Sequence, residues 1–169
     1  MTNGVTGRID FNADIGESFA GYELGLDSEI VKYITSANIA TGFHAGDPDW
    51  MARTVELAVD NNVGIGAHPA YPDRGGFGRR NMDLTPTEVH NAVTYQVGAL
   101  SAFVPGRTMQ HVKPHGALYN TAVRDAAVAE AIVLAVKAFD PDLIHVVLAG
   151  SQWETIARSH GVRAARPER

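Results

Sequence analysis

Four short stretches place groups able to move protons or hold ions beside segments of β-strand character. The first, Asn12-Ala13-Asp14-Ile15-Gly16-Glu17, follows an apolar start, so both carboxylates should lie at or just beyond a strand end, with Gly16 allowing a sharp turn. Two acids whose environments push their pKa values apart can divide general-acid and general-base roles, or ligate a hard cation. The plainer alternative is a loop Asp followed by a helix-capping Glu. The second stretch, Asn38-Ile39-Ala40-Thr41-Gly42-Phe43-His44-Ala45-Gly46-Asp47, sets a histidine between glycines that leave room for a ligand. A neutral imidazole can act as base, proton donor or metal ligand, or can simply bond a loop carbonyl. His68, in the third stretch Ala67-His68-Pro69, repeats the theme of a histidine at a strand end. In the fourth, His111-Val112-Lys113-Pro114-His115, strand alternation puts His111, Lys113 and His115 on one face. Three basic groups on a core-facing side are costly unless they serve a site; the alternative turns that face to solvent at a barrel mouth. Lys113, crowded by cations, can act as base or nucleophile with a lowered pKa, or stay charged and stabilise an oxyanion.

Between these stretches runs Arg74-Gly75-Gly76-Phe77-Gly78-Arg79-Arg80. It lacks the Gly-Lys-Ser/Thr ending of a phosphate loop and the strand-then-helix setting of a dinucleotide fingerprint. Arg79 and Arg80 can hold a carboxylate or phosphate bidentately, or stand as solvated loop arginines. Gln96 interrupts an apolar helical stripe and is read as structural. Trp50 and Trp153 are read as packing aromatics.

The elements that must position these groups show in the hydrophobic patterning. Strands are expected at 8–14, 36–44, 63–68, 111–115, 144–149 and 162–165, with helices filling most gaps. Asp47-Pro48 supplies an N-cap and a first-turn proline for a helix running to about residue 61, with Met51, Val55, Ala58 and Val59 on its buried face. Thr85 and Glu88 form a capping box before a long helix with the stripe Val89, Ala92, Val93, Val97, Leu100, Phe103. A further helix carries Val128, Ala131, Ile132, Ala135, Val136 and Phe139 in the same rhythm. This βα alternation fits either an open doubly wound sheet or a (β/α) barrel. Polar residues closing four separate strands, at Asp14, His44, His68 and Lys113 to His115, favour the barrel, which gathers its chemistry at strand carboxyl ends.

Composition sets the class. The 169 residues are 45% hydrophobic and 20% charged, as in one soluble domain, here spanning 1–169. A net charge of −5 without basic runs argues against nucleic acid or an anionic membrane as partner. The absence of cysteine removes disulfides, thiolate nucleophiles and Cys-ligated metal sites. The N-terminus lacks a signal-peptide stretch and no segment approaches the roughly 18–20 apolar residues of a membrane span, so a cytoplasmic location is expected.

Four ordered segments together carry a family resemblance. Asp10-Phe11-Asn12-Ala13-Asp14-Ile15-Gly16-Glu17-Ser18-Phe19, the stretch from Ser36 to Pro48, Gly75-Gly76-Phe77-Gly78-Arg79-Arg80-Asn81-Met82 and the stretch from His111 to Asn120 resemble successive signatures of the LamB/YcsF family. The resemblance runs from about residue 8 to about residue 166. It implies a distorted (β/α) barrel similar to that of polysaccharide deacetylases. It also implies the role of the A component in a three-component 5-oxoprolinase, which opens 5-oxo-L-proline to L-glutamate while ATP is hydrolysed to ADP and phosphate, in partnership with subunits B and C. Asp14, Glu17, His44, His68, Lys113 and His115 would then gather as catalytic groups around the lactam. Asn12, Asn38, Arg79, Arg80 and His111 would bind substrate or an anion, and no metal is assigned.

Two departures stand out. Thr41 occupies a position where the family usually has Cys. After Val162-Arg163-Ala164-Ala165-Arg166 the chain ends at Pro167-Glu168-Arg169, where the family continues, and a full barrel typically takes about 250 residues. An incomplete barrel is therefore expected, with open sheet edges, an uncovered apolar lumen and activity at risk, as in a truncated or frameshifted product. Two alternatives remain: a metal-dependent deacetylase or amidase with a divalent ion on Asp14, His44 and His68, and an inactive fragment that scaffolds the partner subunits.

Overall fold

In a computed structural model that describes residues 9–165, six strands form one parallel sheet in the order β1-β2-β3-β4-β5-β6. They are β1 (Asn12–Ile15), β2 (Ser36–Ala40), β3 (Gly64–His68), β4 (His111–Val112), β5 (Ile144–Val146) and β6 (Ala164–Ala165). Each strand pairs with the next one in sequence. A doubly wound sheet reverses its strand order at a switch point, whereas a barrel adds strands in succession. The uninterrupted order, with helices flanking it, is that of a distorted (β/α) barrel, and β1 and β6 form its two edges among the described residues.

The helices are α1 (Asp27–Ile30), α2 (Pro48–Asp60), α3 (Pro86–Ser101), α4 (Gly116–Arg124), α5 (Ala126–Phe139) and α6 (Gln152–Ser159). Two starts are as expected. Asp47 accepts from the Trp50 N–H ahead of Pro48, and Thr85 and Glu88 form the reciprocal capping box. None of these helices is long and apolar enough to cross a membrane.

Register sorts the strand residues onto two faces. Ile15, Ala37, Ile39, Ala67 and Val112 face the helices and join Val55, Val93, Val97, Leu100, Ile132 and Val136 in the main core. The opposite face carries Asn12, Asp14, Ser36, Asn38, Gly64, Gly66 and His111. The expected apolar lumen is thus corrected: hydrogen bonds link Asn12 to Ser36 and Asn38, and Asn38 to Asp14 and His111. Gly66 is required there, because a Cβ at that position would collide with the His111 ring.

Most strands are shorter than their patterning predicts. The second stops at Ala40, so His44 sits in the following loop, and the fourth covers only His111–Val112. The fifth ends at Val146 and the sixth begins at Ala164. After β2 and β4 the polar site residues lie beyond the ladder, in the segments that enter the site. Residue 8 of the first expected strand lies outside the described residues, as do residues 1–7 and 166–169. Phe103 and Phe139, expected on buried stripes, are 38% and 37% exposed, because each lies at or just past its helix C-terminus. Exposed Ile9, Phe11, Leu26 and Tyr33 lie in and around the β1–α1 region.

His145 faces the helices and is buried, with its Nε2 lacking a partner among the described residues. Burial pushes its pKa down to about 4. In the unfolded chain it takes a proton below its ordinary value of 6.5, whereas in the folded chain it stays neutral down to about 4. Stability is therefore full above pH 6.5 and falls as pH drops toward 4, by up to ~1.4 kcal/mol per pH unit. Thermal melts between pH 7 and 5 should show a shallower loss for His145→Gln than for the unaltered chain.

Candidate active site

The carboxyl ends of β1 to β4 and the loops after them bring both acids, three histidines and Lys113 together. Asp14, inside β1, receives three partners. Its Oδ1 accepts from Asn38 Nδ2 at 2.6 Å and from Lys113 Nζ at 2.8 Å, and its Oδ2 lies 3.4 Å from His68 Nε2. Burial works to raise its pKa, but the His68 and Lys113 hydrogen bonds and charges outweigh it and hold the carboxyl well below the usual range. Asp14 is therefore a fixed anion at neutral pH.

Glu17 lies two residues beyond β1 and caps no helix. Its Oε1 lies 3.0 Å from His44 Nε2 and 3.8 Å from His115 Nδ1. The turn that aims it is held by Asp27, whose Oδ2 accepts from the Gly16 N–H at 2.8 Å. Burial and the Glu17 charge raise the Asp27 pKa against that bond.

The His44, His68 and His115 side chains are almost wholly buried. The rings of His44 and His115 stack at 3.9 Å with a 5° interplanar angle, and His68 meets both edge-on. His68 Nδ1 lies 2.5 Å from the Lys113 carbonyl oxygen, and His115 Nε2 lies 2.9 Å from the Phe77 carbonyl oxygen. The remaining nitrogens, His68 Nε2 and His115 Nδ1, are 3.0 Å apart. Burial is the main force lowering His44, and it pushes His115 down to about 4, helped by the charges of its histidine neighbours. Among the described residues, Glu17, His44, His68 and His115 form the group able to hold a metal ion, with one ligand atom from each lying within 4.8 Å of all the others.

His111, Lys113 and His115 share a face as their spacing predicts, although the ladder ends at Val112. His111 Nε2 meets Asn38 Oδ1 at 2.6 Å, and burial lowers its pKa to about 4. It lies in the same register row as Asn38 and Asp14, across Gly66. Asn12 lies deeper still, bonded to Asn38.

The arginines separate. Arg80 is held by Asp73 through its Nε and one terminal nitrogen, Nη2, and that pairing lowers the Asp73 carboxyl to about 2. The expected anion-binding role of Arg80 thus meets a resident carboxylate. Arg79 is exposed, with its guanidinium 5.4 Å from the centre of the Phe77 ring. Arg74, singled out by nothing in the sequence, donates to the Gly42 and Gly46 carbonyls and so clamps the His44 loop.

Gln96 braces the site from behind. Its Nε2 donates to the Ala70 and Ala92 carbonyls, and its Oε1 accepts from the Ala70 N–H at 2.9 Å and lies 2.9 Å from Thr41 Oγ1. Thr41 is also 3.2 Å from the His68 carbonyl. Gln96→Leu leaves the buried Ala70 N–H without its acceptor and should cost about 2 kcal/mol, read as an earlier urea midpoint at unchanged slope.

Residues 9–167 match the model of the LamB/YcsF family. The chain belongs to this family. Its LamB/YcsF relatives include proteins named as 5-oxoprolinase A subunits from Pyrococcus furiosus, 56% identical over 161 residues, and from Bacillus licheniformis, 53% identical over 160 residues. Each alignment covers 94% of this chain and 63% of the relative. A crystal structure of a lactam utilization protein from Thermus thermophilus superposes with a TM-score of 0.91 at 51% identity, over 94% of this chain and 65% of that one. The chain thus spans a little under two thirds of the length of these LamB/YcsF relatives.

Proposed function

We propose that this chain supplies the lactam-opening site of an ATP-coupled 5-oxoprolinase, working with subunits B and C in the cytoplasm. The observation that carries the proposal is the convergence of Asp14, Lys113 and His68 with Glu17, His44 and His115 at one sheet end, in a LamB/YcsF chain. The names of the relatives support the substrate.

An unstrained lactam resists water, and ATP removes that barrier by phosphorylating the amide oxygen. Water then adds to the activated carbon, and the C–N bond breaks as the ring nitrogen takes a proton, leaving γ-glutamyl phosphate. A second water releases phosphate and L-glutamate. Lys113 Nζ, held at 2.8 Å by Asp14, is a fixed donor for charge building on the lactam or phosphoryl oxygen. Glu17, more accessible than the histidines, positions and deprotonates water. The same carboxyl, protonated in that step, returns a proton to the leaving nitrogen. Arg79, which unlike Arg80 is not tied to a carboxylate among the described residues, is placed to meet an anion.

The experiment is glutamate release from 5-oxoproline and ATP with subunits B and C added, run on this chain and on one extended by the C-terminal third of a relative. ATP-dependent release by either supports the proposal. Release by neither, under conditions where a full-length relative turns over, overturns it.

A further inference from the structure

The three buried histidines pose a hydrogen-bonding problem that side chains alone do not resolve. A carbonyl oxygen only accepts, so the hydrogen of neutral His68 is on Nδ1, facing the Lys113 carbonyl, and that of neutral His115 is on Nε2, facing the Phe77 carbonyl. His68 Nε2 and His115 Nδ1 then confront each other at 3.0 Å with two lone pairs and no hydrogen between them. Carboxylate oxygens flank the pair: Glu17 Oε1 lies 3.8 Å from His115 Nδ1, and Asp14 Oδ2 lies 3.4 Å from His68 Nε2. Acceptor atoms of Glu17, His68 and His115, each within 4.8 Å of the others, face one another and call for a positive centre between them.

We propose that this centre is a divalent transition-metal ion, zinc in the simplest case, held by His68 Nε2, His115 Nδ1 and Glu17 Oε1. Asp14 Oδ2, 3.4 Å from His68 Nε2, lies beside this group. The spacings suit it. Ligands about 2.0–2.2 Å from a tetrahedral ion lie roughly 3.3–3.6 Å from one another; His68 to His115 is 3.0 Å, Glu17 to His115 is 3.8 Å, and Glu17 to His68 is within 4.8 Å, so a small inward shift of Glu17 closes the set. The outer groups suit it as well. Metal-bound histidines donate their second N–H to a carbonyl or carboxylate that fixes the ring, as the Lys113 and Phe77 carbonyls do here. His44 donates from Nε2 to Glu17 Oε1 at 3.0 Å and orients that ligand. Two histidines and one carboxylate with a position left for exchange form a site that activates water or polarises a carbonyl. This ligand set differs from the Asp14, His44 and His68 set that the sequence suggests, because His44 turns to Glu17 and His115 takes its place.

The inference goes beyond the lactam reading and does not depend on it, because metal uptake is read without turnover. The 169-residue chain is stripped with a chelator, dialysed and titrated with cobalt(II), whose visible d–d bands report four-coordinate sites; zinc is then added to displace it. The expected result is saturation at one equivalent, loss of the bands on adding zinc, and at least tenfold weaker uptake by Glu17→Gln and by His115→Gln. His160→Gln, which removes a surface histidine, should match the unaltered chain. Glu17→Gln is nearly isosteric and partly exposed, and near-ultraviolet circular dichroism checks that both site variants keep the fold. No bands in the unaltered chain, or uptake that neither site variant weakens, overturns the proposal and leaves a shared proton as the positive centre between His68 and His115.

Discussion

On the proposed function, Asp14→Asn is expected to lower ATP-dependent glutamate release by at least ~10²-fold, with most of the loss in kcat. The amide keeps the size of the carboxylate and can still accept from Asn38, so the sheet end should persist and the melting temperature should move little. What disappears is the fixed negative charge. Lys113 Nζ, now 2.8 Å from Asp14 Oδ1, loses its counter-ion and its position, and His68 Nε2 loses the anion beside it. A group that acts by holding a donor in place is felt when charge develops, so KM should change less than kcat. Lys113→Met should give a loss of similar size, and the double variant should lose little more than either alone, because the two act as one unit. An Asp14→Asn enzyme retaining more than half of its activity would remove Asp14 and Lys113 from the chemistry.

Gly78→Ala should destabilise the fold by about 3 kcal/mol or more and derange the histidine stack. Gly78 has φ +63°, a left-handed conformation that costs an alanine roughly 1–2 kcal/mol. A Cβ there would stand 2.8 Å from His44 Cβ and 2.9 Å from His115 Cδ2, both well inside normal contact. Neither ring has room to yield, since each is stacked on the other at 3.9 Å, and overpacking of this kind typically adds about 1–3 kcal/mol. The Gly78 carbonyl also accepts from the Ala117 N–H, which ties the loop to the start of α4. Chemical unfolding should show the lower stability. Histidine side-chain resonances of His44 and His115 should move even in the variant that remains folded, and an unfolding curve within about 1 kcal/mol of the original would show that the loop has slack.

The parts of this structure legible in the sequence are those governed by neighbours along the chain. Asp47 before Pro48, and Thr85 with Glu88, announce helix starts because a cap acts across three residues. The inward face shared by His111, Lys113 and His115 follows from alternation alone. Alternation also misleads, because it runs on past the ladder: the segment after Val112 remains extended to His115 and then enters α4 at Gly116, a helix that the strand-like pattern concealed. Phe77 and Asp73 were invisible as site components for a different reason. Phe77 contributes a backbone carbonyl to His115, 38 residues away, and no side-chain type signals that. Asp73 captures Arg80 across seven residues of irregular turn, where spacing has no fixed geometric meaning. The barrel itself was readable because polar residues close several strands in turn, whereas the polar inner face was not, since period-two patterning does not say which face is inside.

The hydrogen bond between Asp14 and Lys113 spans 99 positions of chain. On a ribosome adding ~5–20 residues per second, the carboxylate emerges roughly 5–20 s before its ammonium partner. Throughout that interval β1, β2 and β3 can pair while the acid faces solvent, so a nascent polypeptide can bear the architecture without the chemistry. The Asp14–Lys113 pair thus forms only after β1 to β3 have been made, and stalled products ending before β4 would lack its cation.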